Sequence, residues 1–177
     1  KDVMKKKFDQ EVYYYYFKEV FQLDDDYKMK ELSTGMKVKY FLSLELAKSP
    51  DLLVLDEPTS GLDPIVRDEV CVAKEKNTSV LFSSHITEDI EKIADRVIFI
   101  NNGRIVLQGD KKEIKKKYVK LNQQQYVILV NAGMAKECVS IHDYYIVDRD
   151  LAMTCNVEVK EALLSDILSY MRKRSED

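Results

Sequence analysis

Two adjacent carboxylates, Asp56 and Glu57, follow a short apolar run from Leu52 to Leu55. A strand that ends in acids can hold a magnesium ion and position a water for attack on a phosphate. Asp56 is the metal candidate: magnesium keeps several waters and needs few protein carboxylates, so one aspartate suffices. The same carboxylate can instead accept a hydrogen bond from a bound water. Glu57 is the general-base candidate. Neighbouring side chains on a regular strand point to opposite faces, so both acids serve one site only if the chain bends there. Standing alone, the pair would simply end a strand.

The pair does not stand alone. Ser83-Ser84-His85 begins 20 residues after Asp63 and follows a second apolar run, Val80, Leu81 and Phe82. Leu32-Ser33-Thr34-Gly35-Met36 ends 20 residues before Asp56 and immediately precedes a helical pattern. Ser33 supplies a hydroxyl, and Gly35 lets the backbone approach a phosphate. A helix N-terminus adds unpaired N–H groups and positive dipole, a combination that suits an anion.

In this order the blocks resemble the ATP-binding cassette of ABC transporters, over roughly residues 28 to 109. Leu32 to Met36 resembles the signature motif, Leu52 to Glu57 the Walker B strand with its catalytic glutamate, Asp63 the D-loop acid, and His85 the switch histidine. The resemblance implies an ATPase with ATP and Mg2+ as cofactors. Asp56 would serve the metal, and Glu57 and His85 would be catalytic. His85 would contact the terminal phosphate and link Glu57 to the opposing subunit. Ser33, Gly35 and Asp63 would act on nucleotide at the interface with a second ATP-binding subunit, identical or different. Thr34 stands where the family usually has Gly, and Met36 where it usually has Gln; Ser33 and Gly35 are kept.

The phosphate-cradling loop G-x-x-x-x-G-K-[ST] does not occur among the five glycines, Gly35, Gly61, Gly103, Gly109 and Gly133. The family places it before the signature, and 31 residues precede Leu32. The stretch from Asp63 to His85 is also short, by roughly one to two helical turns. The expectation is a C-terminal portion of a cassette, inactive by itself. The alternative is a degenerate or fragmentary cassette, a non-catalytic module that completes a partner's ATP site.

Several elements must position these residues. The expected fold is α/β: a partial ABC-type ATPase core with a parallel sheet and a helical signature subdomain, plus a small C-terminal α+β appendage. The expected division is a partial ATPase domain over 1–118 and a small domain over 119–177. Within the first, 1–48 is the helical subdomain and 49–118 carries the Walker B, D-loop and switch segments and an edge hairpin.

Residues 1–31 read as helical, with Tyr13 to Phe17 packing as aromatics rather than stacking on bases. Asp24, Asp25 and Asp26 read as a solvated turn, lacking the spacing of a calcium loop. Residues 36–48 form a helix with apolar Val38, Phe41, Leu42 and Leu46. The runs 52–55 and 79–83 are consecutively apolar, which predicts strands covered on both faces. A helix opens at Pro64 and runs to about 75. Thr87 caps another, with Glu88 and Asp89 in its first turn and a stripe of Ile86, Ile90, Ile93 and Val97.

Asn101-Asn102-Gly103 predicts a hairpin turn between 96–100 and 104–108. Residues 111–118 read as helical. In the tail, 126–130 and 144–147 read as strands. Residues 159–171 read as a helix with Leu163, Ile167 and Tyr170 on one stripe. His142 reads as structural or exposed.

Composition excludes other classes. Lys and Arg number 28 against 31 Asp and Glu, a net charge of −3, which gives no nucleic-acid footprint. The runs Lys5-Lys6-Lys7 and Lys115-Lys116-Lys117 read as solvated helix surface; the alternative is a contact with anionic lipid headgroups or an acidic loop. Three widely spaced cysteines, Cys71, Cys138 and Cys155, form neither a disulfide framework nor a zinc pattern. No run of 18 apolar residues occurs and nothing at the N-terminus reads as a signal peptide. Together with these exclusions, the resemblance implies a cytoplasmic location, peripheral on the inner face of the membrane, against a separate permease. Long heptads, expected of chromosome-maintenance ATPases, do not flank the signature block. The tandem repeats and basic surface of a translation-factor cassette are also lacking.

Overall fold

The computed structural model describes residues 8–72 and 78–175. Contacts divide the chain into two compact units, residues 1–93 and 94–177. The hairpin at 96–110 thus groups with the tail, whereas the sequence reading placed its boundary after 118.

The first unit opens with α1 (Gln10–Tyr14), which continues as a π-helical turn over Tyr15–Val20. Asp9 caps α1, its carboxylate accepting from Glu11 N and Val12 N. The wide turn lets Phe21 N reach back to Tyr16 O at 2.8 Å. Tyr16, Phe17 and Phe21 become a buried aromatic wall, and Tyr13 stacks on Phe17 with centroids 5.3 Å apart. The helix stops there: Gln22 takes a left-handed φ of 51°, and Asp24 to Asp26 lie exposed, with Asp25 paired to Lys18. Helix over the whole of 1–31 was too broad a reading; a short 3-10 turn at Met29–Glu31 follows.

α2 (Thr34–Leu46) begins two residues earlier than expected. Its buried face is Lys39, Leu42, Ser43 and Leu46, while Phe41 is 52% exposed, so Phe41 does not belong to the core stripe. Lys39 is buried because it pairs with Glu69 of α3 (Pro64–Val72). The last residues of the expected α3, 73–75, lie outside the described residues, as do Lys5 to Lys7.

β1 (Leu52–Leu55) and β2 (Ser79–Phe82) pair in parallel, with Leu55 opposite Phe82. Only Leu53 of the two strands is buried; Val54 is 64% and Leu81 56% exposed. The expectation of strands covered on both faces is corrected: among the described residues each strand pairs only with the other, and Val54 and Leu81 face outward. α4 (Thr87–Ile93) closes the unit. Thr87 is its first helical residue and not its cap; Asp89 N and Ile90 N donate to Ile86 O.

In the second unit β3 (Arg96–Asn101) and β4 (Arg104–Asp110) form the expected hairpin. Asn102 and Gly103 have φ of 48° and 74°, the two successive left-handed residues that a tight hairpin turn requires. Val97 is buried in β3, so the stripe assigned to α4 ended at Ile93. Asp110 caps α5 (Lys111–Lys117).

A four-stranded antiparallel sheet follows in the order β6-β7-β5-β8: β5 (Tyr118–Leu121), β6 (Val139–Ile141), β7 (Tyr144–Asp148) and β8 (Lys160–Glu161). α6 (Gln123–Asn131) replaces the strand expected at 126–130. Asn122 and Gln125 form a capping box that starts a helix there despite the β-branched run. α7 is Arg149–Thr154. α8 is Leu164–Arg174, shorter than the expected 159–171 at its start, and buries Leu164, Ile167, Leu168 and Tyr170. Leu163 precedes that helix and is 56% exposed. His142 lies exposed in the β6–β7 turn with φ of 54°.

Candidate functional site

The parallel register explains where the acids meet their partners. Leu55 faces Phe82, so the next residues, Asp56 and Ser83, leave their strands side by side. Ser83 Oγ donates to Asp56 Oδ1 at 2.6 Å and accepts from Glu57 N at 2.9 Å. Ser83 N also donates to Leu55 O at 3.0 Å. One serine therefore holds both strand ends.

Glu57 has φ of 46°, a left-handed conformation that a non-glycine residue adopts at a cost. This is the bend the adjacent carboxylates need. It swings Glu57 out of strand alternation, and Glu57 Oε2 lies 2.7 Å from His85 Nδ1. A neutral imidazole protonated at Nδ1 donates to Glu57 and leaves Nε2 as an acceptor; an imidazolium donates from both nitrogens. Either way Glu57 keeps one carboxylate oxygen for a water. Both side chains reach solvent, at 37% for Glu57 and 70% for His85.

The other candidates sit at helix starts. Ser33 caps α2, its Oγ accepting from Met36 N at 3.2 Å. Asp63 caps α3, its Oδ1 accepting from Ile65 N and Val66 N at 3.1 Å each. Gly35 lies against α3: a Cβ built there would stand 2.9 Å from Val66 Cγ1, closer than real carbons approach. Each thus has a local structural task. The structure brings Asp56, Glu57 and His85 together at the strand ends, and places Ser33 and Gly35 at one helix N-terminus and Asp63 at another.

Three residues carry contacts that the sequence reading left unassigned. Ser83 was read only as part of a block; its bridging position follows from the parallel register. Thr59 Oγ1 donates to Asp89 Oδ2 at 2.6 Å, and both residues are buried. Asp89 was read as a first-turn acid that complements the helix dipole, and nothing local in the sequence marks it as buried.

Among the described residues no group of three or more His, Cys, Asp and Glu is placed to hold a metal. Asp56 is exposed, and its hydrogen bond to Ser83 uses one of its two oxygens. That donor set fits a magnesium ion that keeps most of its waters, and not a metal caged by protein.

A family model described as "AAA domain, putative AbiEii toxin, Type IV TA system" matches residues 2–88. The ABC transporter ATP-binding protein YtrB of Bacillus subtilis (strain 168) is 30% identical over 152 residues, covering 83% of this chain and 52% of that protein. The lantibiotic transport ATP-binding protein SrtF of Streptococcus pyogenes is 40% identical over 90 residues, covering 49% of this chain and 39% of that protein. Among solved structures, "An inward-facing conformation of a putative metal-chelate type ABC transporter" aligns with a TM-score of 0.51 and 19% identity, over 78% of this chain and 56% of that one. The chain spans about half the length of YtrB and less of SrtF.

The fold is that of part of an ABC-type ATPase core. The chain belongs to the ATP-binding proteins of ABC transporters.

Proposed function

We propose that this chain is the signature-to-switch part of a subunit that hydrolyses ATP and powers a separate membrane permease. Residues 1–118 are read as the partial ATPase domain and 119–177 as a small α+β domain. The observation that carries the reading is the Glu57–His85 pair, 2.7 Å apart where β1 ends, beside an Asp56 held by Ser83.

In this reading Glu57 orients a water and takes its proton through the oxygen that His85 leaves free. His85 fixes the Glu57 rotamer and, when both its ring nitrogens carry protons, donates from Nε2 to the terminal phosphate. Asp56 holds the waters of a magnesium ion. When bound, ATP would supply the phosphoryl group, and a magnesium ion beside Asp56 would neutralise the charge that develops on it. Ser33, Gly35 and Asp63 face nucleotide bound by a second ATP-binding subunit, in a head-to-tail sandwich.

The phosphate loop that completes such a site is not in these 177 residues. The bare two-stranded sheet supports the same reading. Parallel sheets are normally covered on both faces, and Val54 and Leu81 are not covered here. Further strands and helices of the core would lie there. No described helix is long and apolar enough to cross a membrane, which fits a subunit held at the inner membrane face by its permease.

The test is ATP turnover by the longer polypeptide that carries this chain, with and without Glu57→Gln. Magnesium-dependent hydrolysis that the substitution abolishes supports the enzyme. A longer polypeptide that binds a partner subunit but never turns over ATP supports the non-catalytic module instead.

A further inference from the structure

We infer that Asp89 is the positioning residue of this site, holding the Glu57 segment and the His85 segment in register through Thr59 and Arg67. The inference rests on the reading that Glu57 and His85 work as a pair.

Asp89 lies four residues after His85, and its side chain is 4% exposed. A first-turn acid that only complemented a helix dipole would stay in water, where its charge is solvated. This carboxylate has lost its water, which is costly unless both oxygens are partnered. Oδ2 accepts from Thr59 Oγ1 at 2.6 Å, and Oδ1 lies 3.2 Å from Arg67 Nε. Those partners come from different segments. Thr59 is two residues past Glu57 and itself buried, and Arg67 is on α3, four residues past Asp63.

The loop between is stiff. Ser60 N donates to Glu57 O at 3.1 Å and Leu62 N to Thr59 O at 3.2 Å, two overlapping turns. Fixing Thr59 therefore fixes Glu57. The neighbouring Cys71 thiol on α3 is pushed up to about 11, first by burial and next by the Asp89 charge. With Thr59 donating to one oxygen and the Arg67 guanidinium ion-paired with the other, the three segments meet at one buried carboxylate. Asp89 touches neither Glu57 nor His85, and acts on them only through this geometry.

The chain has two histidines, His85 and His142, so isotope-labelled histidine gives two readable side-chain signals in the whole 177-residue chain. His142→Gln assigns them. Glu57→Gln should move the His85 signal, because it changes the acceptor on Nδ1. Thr59→Val keeps the size and loses the hydroxyl. It should move the His85 signal in the same direction by at least about half as much, and Thr59→Ser should leave it in place. The Glu57→Gln, Thr59→Val double variant should move it no further than Glu57→Gln alone. Asp89→Asn should match Thr59→Val in direction.

A Thr59→Val chain that melts at lower temperature while the His85 signal stays at its wild-type position would overturn the inference. Asp89 would then be a stabilising contact only. A Glu57→Gln chain with an unmoved His85 signal would overturn the pairing itself, and the functional reading with it.

Discussion

Glu57 and His85 are 28 positions apart in sequence and 2.7 Å apart in space. The contact exists because β1 and β2 run in parallel and end together, and because Glu57 accepts a left-handed backbone. A carboxylate on a regular strand would point away from Asp56 and miss the imidazole. Backbone strain at Glu57 is thus balanced by Ser83, which binds its N–H, and by His85, which binds its side chain.

Ser83→Ala should therefore damage the site without removing any group that touches substrate. It deletes the donor to Asp56 and the acceptor for Glu57 N together. In the longer polypeptide kcat should fall about tenfold, with KM for ATP changed less than about twofold. Steady-state kinetics with a circular-dichroism check of folding decides it. An unchanged kcat would show that the bridge does not hold the acids.

Gly35→Ala tests packing apart from nucleotide. The added methyl must displace Val66, at a cost of about 1 to 3 kcal/mol by analogy with overpacked cores. Val66→Ala should relieve most of it, so the pair of substitutions should be less destabilising than the sum of the singles. Denaturant unfolding measures this. Strict additivity would contradict the close approach. Gly35→Asp, the obvious way to repel a phosphate, carries the same clash and should be read against Gly35→Ala.

Asp166 links stability to pH. Burial pushes its carboxyl up, but hydrogen bonds from Lys120 Nζ, Tyr144 Oη and Leu163 N outweigh this and hold it below the usual carboxylate value. A carboxylate with a lowered folded value stabilises fully above its unfolded value of about 3.9, and loses that contribution as pH falls through the folded one. The stability lost on Asp166→Asn should be greatest near neutral pH and shrink below about pH 4. A difference that grows with acid would reverse the assignment.

These 177 residues alone should show no ATPase activity. They contain no phosphate-cradling loop, the source of most ground-state contacts to the phosphates. Magnesium-dependent turnover by this chain, abolished by Glu57→Gln, would contradict the expectation.

What was legible in the sequence is local. Asn102-Gly103 fixed the hairpin, and Pro64 opened α3 after Asp63. Asp56, Glu57 and His85 stand out as candidates by order and spacing, though their mutual contacts do not. What was missed depends on partners far along the chain. Tyr126 to Val130 reads as a strand until the Asn122–Gln125 box caps it as a helix. Phe41 fits a helical stripe, yet the buried position went to Lys39, which Glu69 neutralises. Asp89 and Thr59 are 30 residues apart, and neither announces the other.

The central claim is that Glu57 is the base of an ATP site closed between two subunits. Glu57→Gln keeps the side chain's shape and removes the base, so chemistry should slow while binding survives. The measurement is size-exclusion chromatography with light scattering on the longer polypeptide carrying this substitution, with its partner subunit if the pair is unlike, with and without ATP. The account predicts a shift from monomer to a stable dimer on adding ATP, with turnover reduced to about 1% of wild type or less. A variant that stays monomeric with ATP, or that turns over ATP at the wild-type rate, would contradict it.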